Sequence, residues 1–343
     1  MKLTRREFVR ATVAAAAGAA ATGLAVSGAQ AAPSQRTLGT PRAWMSALPD
    51  STSMLRLTIP GTHDSVCVDP ANGTEWAHTQ NWDLAAQFEH GIRFLDIRLN
   101  GLQDHMGDSF GLYHGPAYQG ITFDGVLNRC RTFLTASSDE VLVMRVKKED
   151  GTENDVGADF ARIFDGYLDA KGYRPLFWIG DRMPTLGEAR GRIVLITQFA
   201  NALPALRWPA GDNGTFTDSR FHLQDRYKGK GLMGLDSGSA GGSAGGSASG
   251  SGDTASSGGD KFDHVRACFD KAAADPENTL QYINFLSYAD NAWPKDNAKA
   301  ILPKVERYLT ENRSRTAHYG IVAMDFPDLF PNIVDLLLEK NFG

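Results

Sequence analysis

Two histidines, one arginine and several carboxylates stand where this chain could do acid–base chemistry. His63 and Asp64 follow Pro60-Gly61-Thr62, and His114 precedes a turn in Tyr113-His114-Gly115-Pro116. Asp96 and Arg98 lie two residues apart in Phe94-Leu95-Asp96-Ile97-Arg98, hence on one face of a strand. Histidine titrates near neutral pH, so two of them can serve one reaction as base and acid. An arginine between them suits a phosphate, which it grips with two parallel hydrogen bonds. This set can run in-line transfer at a phosphodiester without a metal or cofactor. A neighbouring hydroxyl loses its proton and attacks phosphorus, and the leaving alcohol is protonated. Each group alone has an ordinary use: His before Asp as a turn-former, Asp96 and Arg98 as a buried ion pair, Lys147-Lys148-Glu149 as a solvated edge. Their joint occurrence favours chemistry.

The elements that must position these groups alternate in type. Short β-branched runs at 53–59, 94–98, 141–146, 193–196, 282–285 and 320–324 read as strands. Stretches 84–90, 123–135, 156–169, 262–274 and 298–313 read as helices. Such alternation predicts an α/β fold with a largely parallel sheet. A closed barrel and an open doubly wound sheet both satisfy it. No glycine-rich dinucleotide fingerprint follows an early strand, so the barrel is preferred. The chemical residues follow strands: His63 and Asp64 after the first, Lys147 after 141–146, Asp325 after 320–324. In a parallel αβ barrel all these ends open on one face.

Composition sets the setting. Of 343 residues, 35 are basic and 40 acidic, for a formal charge of −5, and 42% are hydrophobic, as in an ordinary globular protein. Disorder and nucleic-acid binding by bulk charge are therefore excluded as leading readings. Residues 1–31 begin Met1-Lys2-Leu3-Thr4-Arg5-Arg6-Glu7-Phe8, continue through a mild Ala/Gly-rich run and end in Ala29-Gln30-Ala31. They read as a twin-arginine-type signal peptide, which predicts a secreted protein. Residues 32–343 then form a single catalytic domain. Within it, residues 237–259 are almost wholly Ser, Gly, Ala and Thr, with Asp253 the only charge, and read as a flexible inserted loop. Cys67, Cys130 and Cys268 are odd in number and lack CxxC spacing. A Cys67–Cys130 bridge is compatible with export, zinc is not suggested, and at least one buried free thiol is expected.

The motifs also carry a resemblance. Ile59-Pro60-Gly61-Thr62-His63-Asp64-Ser65, Gly91-Ile92-Arg93-Phe94-Leu95-Asp96-Ile97-Arg98, His114-Gly115-Pro116, Val146-Lys147-Lys148-Glu149, Gln224-Asp225-Arg226-Tyr227 and Met324-Asp325-Phe326 occur in the order seen in bacterial phosphatidylinositol-specific phospholipase C. From about Trp44 onward the chain resembles that metal-independent family. The resemblance implies a distorted (βα)8 TIM-type barrel that cleaves phosphatidylinositol to diacylglycerol and inositol 1,2-cyclic phosphate. It implies His63 as the base at the inositol 2-hydroxyl, Asp325 as the group orienting it, and His114 as the acid at the diacylglycerol oxygen. Arg98 would bind the phosphate beside Asp64. Lys147, Asp225 and Tyr227 would contact inositol, the tyrosine lying against the ring. Gln198 stands where bacterial members often carry arginine, which alters the headgroup contact.

Two other readings remain at this stage. A calcium-dependent phosphodiesterase of the same fold would use Asp64, Asp96 and Glu149 as oxygen ligands, against which the charge of Arg98 argues. A non-catalytic inositol-phospholipid-binding module would have no need of both histidines. The expected partner is phosphatidylinositol at a membrane surface, met transiently by a peripheral monomer that binds no nucleic acid. Trp76, Trp82, Trp208 and Trp293 fall near predicted loops, where their rings could enter the interface, although most tryptophans are expected in the core.

Overall fold

The strands of this protein are aliphatic at their beginnings and polar at their ends, and that gradient organises the whole sheet. The computed structural model describes residues 39–102, 108–228, 261–277, 279–289 and 292–342, all within the unit Gln35–Gly343. The predicted signal at 1–31 and the predicted loop at 237–259 lie outside the described residues. Among the described residues twelve strands occur in chain order: β1 Thr58–Thr62, β2 Phe94–Gly101, β3 Phe110–His114, β4 Ala117–Thr122, β5 Leu142–Lys148, β6 Phe177–Trp178, β7 Ile193–Gln198, β8 Leu206–Arg207, β9 Gly214–Thr217, β10 Phe221–Asp225, β11 Gln281–Phe285 and β12 Gly320–Met324. The α-helices are α1 Thr74–Ala77, α2 Leu84–Glu89, α3 Phe123–Ala136, α4 Phe160–Leu168, α5 Leu186–Ala189, α6 Lys261–Ala273, α7 Pro294–Glu311 and α8 Asn332–Glu339.

The path β6-β7-β5-β2-β1-β12-β11-β10 is parallel throughout, and β9 closes its far edge in antiparallel sense. This is a curled α/β sheet of TIM-barrel type, as the alternation of elements predicts. Side chains alternate across each strand. One face carries Ile59, Phe94, Val143, Val194, Ile196, Leu223, Ile283, Phe285 and Ile321, which pack into a single buried cluster. The other face carries Leu95, Ile97, Met144, Val146 and Leu195 under α3 and α4, and Tyr282, Val322 and Met324 under α6 to α8.

Local sequence explains the helices that support this arrangement. In α3 the buried residues Phe123, Val126, Leu127, Cys130, Phe133 and Leu134 repeat at helical spacing, and the Thr122 hydroxyl caps the first turn by accepting from Gly125 N at 3.2 Å. Thr185 and Glu188 form a capping box on α5, and Asp83 caps α2.

The first strand and one hairpin differ most from the sequence reading. Residues 54–56 are a 3₁₀ turn capped by Ser53, and the first strand is shifted to Thr58–Thr62. Pro60 lies inside β1 with its carbonyl accepting from Arg93 N at 2.8 Å, and the paired register with β2 begins only at Gly61. The hairpin β3–β4, which the periodicity does not announce, runs antiparallel from β2 with Leu99 opposite Leu112. All three cysteines are free and buried, so no Cys67–Cys130 bridge forms.

Candidate active site

Continuing the same face of each strand past its apolar residues gives the site. Phe94 is followed by Asp96 and Arg98, Val143 by Arg145 and Lys147, Ile196 by Gln198, and Leu223 by Asp225, while Ala323 is followed by Asp325 just beyond β12. His63 and Asp64 leave the end of β1. Gly61, opposite Phe94, makes that exit passable, because a Cβ there would lie 2.7 Å from the Phe94 Cβ. The exit is then locked by polar contacts. The Thr62 hydroxyl donates to Gln87 Oε1 at 2.8 Å, Gln80 Nε2 donates to the His63 carbonyl at 2.8 Å, and Asp96 N donates to Ser65 Oγ at 2.9 Å. Asp64 and Phe326 both take left-handed backbone angles, φ 42° and 47°, so the chain is strained on either side of the cluster.

His63, Asp64, Arg98, His114 and Asp325, the five predicted catalytic residues, meet here. His63 Nδ1 lies 2.8 Å from Asp325 Oδ1, and Arg98 Nη2 lies 2.7 Å from His63 Nε2. Arg98 can only donate, so Nε2 presents its lone pair and Nδ1 carries the proton toward Asp325. Arg98 Nε lies 2.7 Å from Asp64 Oδ1, its Nη2 donates to Asp96 Oδ2 at 3.1 Å, and its Nη1 stands 3.7 Å from Glu149. The guanidinium is thus ringed by the three carboxylates that a calcium reading would use. His114 Nδ1 faces Asp64 Oδ2 at 3.2 Å, and the two imidazole rings are 6.4 Å apart between centroids.

His114 arrives by an unexpected route. It lies at the end of an antiparallel strand, not a parallel one, and the turn after it is held by Gly115 N donating to Glu149 Oε1 at 2.9 Å. Gly115 adopts φ 54°, which a residue with a side chain rarely does.

The electrostatics set the two histidines apart. Burial opposes charge on His63, but Asp325 and Asp64 outweigh it and hold the ring above its ordinary value. Burial lowers His114, and Asp64 recovers only part of that. Burial would raise Asp96, yet the Arg145 and Arg98 guanidiniums hold its carboxyl well below the usual range.

The predicted inositol contacts lie at or just after the ends of β5, β7 and β10. Lys147 joins the catalytic cluster through Glu149 at 2.8 Å, and Lys147 and Gln198 share a cavity of about 310 Å³. Asp225 ends β10, and Tyr227, two residues on, donates its hydroxyl to Asp212 at 2.7 Å. Gln198 lines that cavity with its side-chain oxygen already engaged: it accepts from Arg145 Nε at 2.8 Å and also from Nη2. Arg145 is the main omission of the sequence reading. Its signal was a lone arginine inside the apolar run Leu142-Val143-Met144-Arg145-Val146. Lys261 was also missed: buried at the start of α6, its amine donates to Gln224 Oε1 and the Arg226 carbonyl, and burial pushes it down to about 7.

Of the tryptophans, Trp76 and Trp293 are half exposed, while Trp208 is buried and Trp82 is stacked on His90 at 4.0 Å. Trp76 lies 4.8 Å from the His114 ring. No α-helix among the described residues is long and apolar enough to cross a membrane.

Known proteins resemble this chain in sequence and fold. Residues 58–199 match the phosphatidylinositol-specific phospholipase C X domain. The 1-phosphatidylinositol phosphodiesterase of Listeria monocytogenes is 27% identical over 297 residues, covering 84% of this chain and 82% of the relative. The Staphylococcus aureus protein of the same description is 27% identical over 326 residues, covering 86% of this chain and 94% of its own. A solved S. aureus phosphatidylinositol-specific phospholipase C superposes with a TM-score of 0.72 at 26% identity, over 88% of this chain and 97% of that one. The Listeria monocytogenes structure gives 0.67 at 24% identity, a likeness of fold. Over most of its length the chain is thus similar to bacterial phosphatidylinositol-specific phospholipases C, with the X-domain match confined to residues 58–199.

Proposed function

We propose that the protein is a secreted phosphatidylinositol phosphodiesterase that releases diacylglycerol and inositol 1,2-cyclic phosphate by acid–base catalysis without a metal. The observation that carries this reading is the placement of Arg98, which touches His63 and Asp64 while Asp64 faces His114. An incoming phosphodiester takes the guanidinium by its forked donors and frees His63 Nε2 to accept the proton of the inositol 2-hydroxyl. The hydroxyl oxygen bonds to phosphorus, the bond to the diacylglycerol oxygen breaks, and His114 supplies that oxygen with a proton. Asp325 holds the His63 ring and stabilises its charge. Lys147, Gln198 and Asp225 offer hydrogen bonds to the inositol hydroxyls, and Tyr227 offers a flat apolar face.

Approach to the lipid rests on Trp76 and Trp293. Trp76 lies on α1 beside His114, and Trp293 is the N-cap of α7, against which α1 packs. Amphipathic rings at the mouth of a site suit a membrane interface. Export through the twin-arginine route rests on the first 31 residues alone, and indifference to nucleic acid on net charge and motif content. The constellation argues against the calcium alternative because a guanidinium occupies the centre of the carboxylates. His63→Ala and His114→Ala are expected to lower turnover on phosphatidylinositol at least about 10²-fold each, with circular dichroism unchanged. Near-normal turnover in either variant would remove the acid–base assignment.

A further inference from the structure

Asp96 is fully buried, and its two oxygens serve different arginines. Oδ2 accepts from Arg98 Nη2 at 3.1 Å, from Arg98 Nε at 3.3 Å and from Asp64 N at 3.2 Å. Oδ1 accepts from Arg145 Nη1 at 3.1 Å. The pairing follows from register, since Asp96 on β2 lies directly beside Arg145 on β5. Arg145 is itself fixed on two further sides. Its Nε and Nη2 converge on Gln198 Oε1, and its guanidinium lies 4.2 Å from the centre of the Trp208 ring.

The charges explain what this clamp does. Arg98 is surrounded by Asp64, Asp96 and Glu149; among the described residues Arg145 and Lys147 are the other permanent cations paired with these carboxylates, the two histidines meeting Asp64 alone. Without Arg145, Asp96 would be a buried carboxylate whose only cation is Arg98. A bidentate pair with Asp96 would then draw the Arg98 fork away from Asp64 and from an arriving phosphate. We propose that Arg145 is a positioning residue: by holding the second oxygen of Asp96, it keeps Arg98 available to the substrate phosphate. The neutral Gln198 has its explanation here. An acidic side chain at 198 would compete with Asp96 for Arg145, and a basic one would confront the guanidinium.

This inference rests on the reading of Arg98 as the phosphate-binding group, and its test separates the two. The probes are the two phosphatidylinositol diastereomers in which sulfur replaces one non-bridging phosphate oxygen. A well-placed Arg98 distinguishes them, so the ratio of their turnover rates reports its position, whereas a loss of folding alone would not change it. Arg98→Lys is expected to collapse that ratio. Arg145→Gln is expected to collapse it as well, with turnover on the natural lipid falling roughly 10- to 100-fold and KM within about twofold, the size of effect that a small misplacement produces. Arg145→Lys restores charge at Asp96 and should recover most of the ratio. The double variant Arg98→Lys/Arg145→Gln should lose little beyond Arg98→Lys, as expected of residues acting in series. If Arg98→Lys keeps the ratio, the phosphate role of Arg98 is wrong and the present inference falls with it. If Arg98→Lys loses the ratio while Arg145→Gln keeps it, the role of Arg145 alone is overturned. Should the glutamine variant fail to fold, the lysine variant decides: a ratio near that of the unaltered enzyme supports the proposal and a collapsed one overturns it.

Discussion

At the scale of single residues, the two histidines are tuned in opposite senses. The proposed base, His63, is held above its ordinary value and must be neutral to act; the proposed acid, His114, is held below and must be protonated. In the free enzyme, therefore, only a minor fraction carries both protonation states at once. His63 is active as pH rises past its raised value, and His114 is lost as pH rises past its lowered one. Binding an anionic phosphodiester beside Arg98 adds negative charge near His114 and raises it. Because the base titrates above the acid, the acid limb of the bell-shaped profile reports His114, and that limb is expected at higher pH for kcat than for kcat/KM on a soluble inositol phosphodiester. Coincident acid limbs would contradict the assignment of His114. The residues of this pair were legible because polar groups clustered after aliphatic runs. Arg145 was not, since a charged side chain inside an apolar strand gives no sign of the neighbouring strand's Asp96.

Among the elements, the strand-end geometry depends on buried links that the motifs do not advertise. Arg93, in the motif that resembles the family, never reaches the site. Its side chain is buried, donates through Nε to Glu140 Oε2 at 2.9 Å, and also bonds the Phe88 and Ile92 carbonyls. Burial pushes its guanidinium down to about 10, with Glu140 opposing. Removing Glu140 leaves that charge without its counter-ion. Glu140→Ala is expected to cost about 3–5 kcal/mol, read as a lowered midpoint in urea unfolding, while turnover per folded molecule is retained. A change below about 1 kcal/mol would show the pair to be dispensable. The parallel strands and long amphipathic helices were readable from period alone. The β3–β4 hairpin was not, because its strands Phe110–His114 and Ala117–Thr122 are short and interrupted by Gly111 and Gly120. The first strand, β1, was placed too early because its true span Thr58–Thr62 contains Pro60 and Gly61, both poor strand formers.

For the whole molecule, the account joins a membrane-facing mouth to a site that carries its own cation. Trp76→Ala and Trp293→Ala are each expected to weaken partition onto vesicles containing phosphatidylinositol by about tenfold, in line with the apolar area of one ring. Turnover on a soluble inositol phosphodiester should be unchanged by Trp293→Ala. Equal loss on both substrates would mean that Trp293 supports the fold and not the interface.

The central claim is that Arg98 supplies the positive charge that a calcium ion would otherwise bring. Arg98→Asp should be nearly inactive alone and partly rescued by millimolar-range Ca²⁺, since it gathers oxygen ligands around the vacated position. The most direct measurement uses the unaltered protein: phosphorus NMR of products from phosphatidylinositol vesicles in excess EGTA. The account predicts a cyclic inositol phosphate resonance that grows at the same rate with or without chelator. Absence of that resonance under EGTA, and its appearance on addition of Ca²⁺, would contradict it.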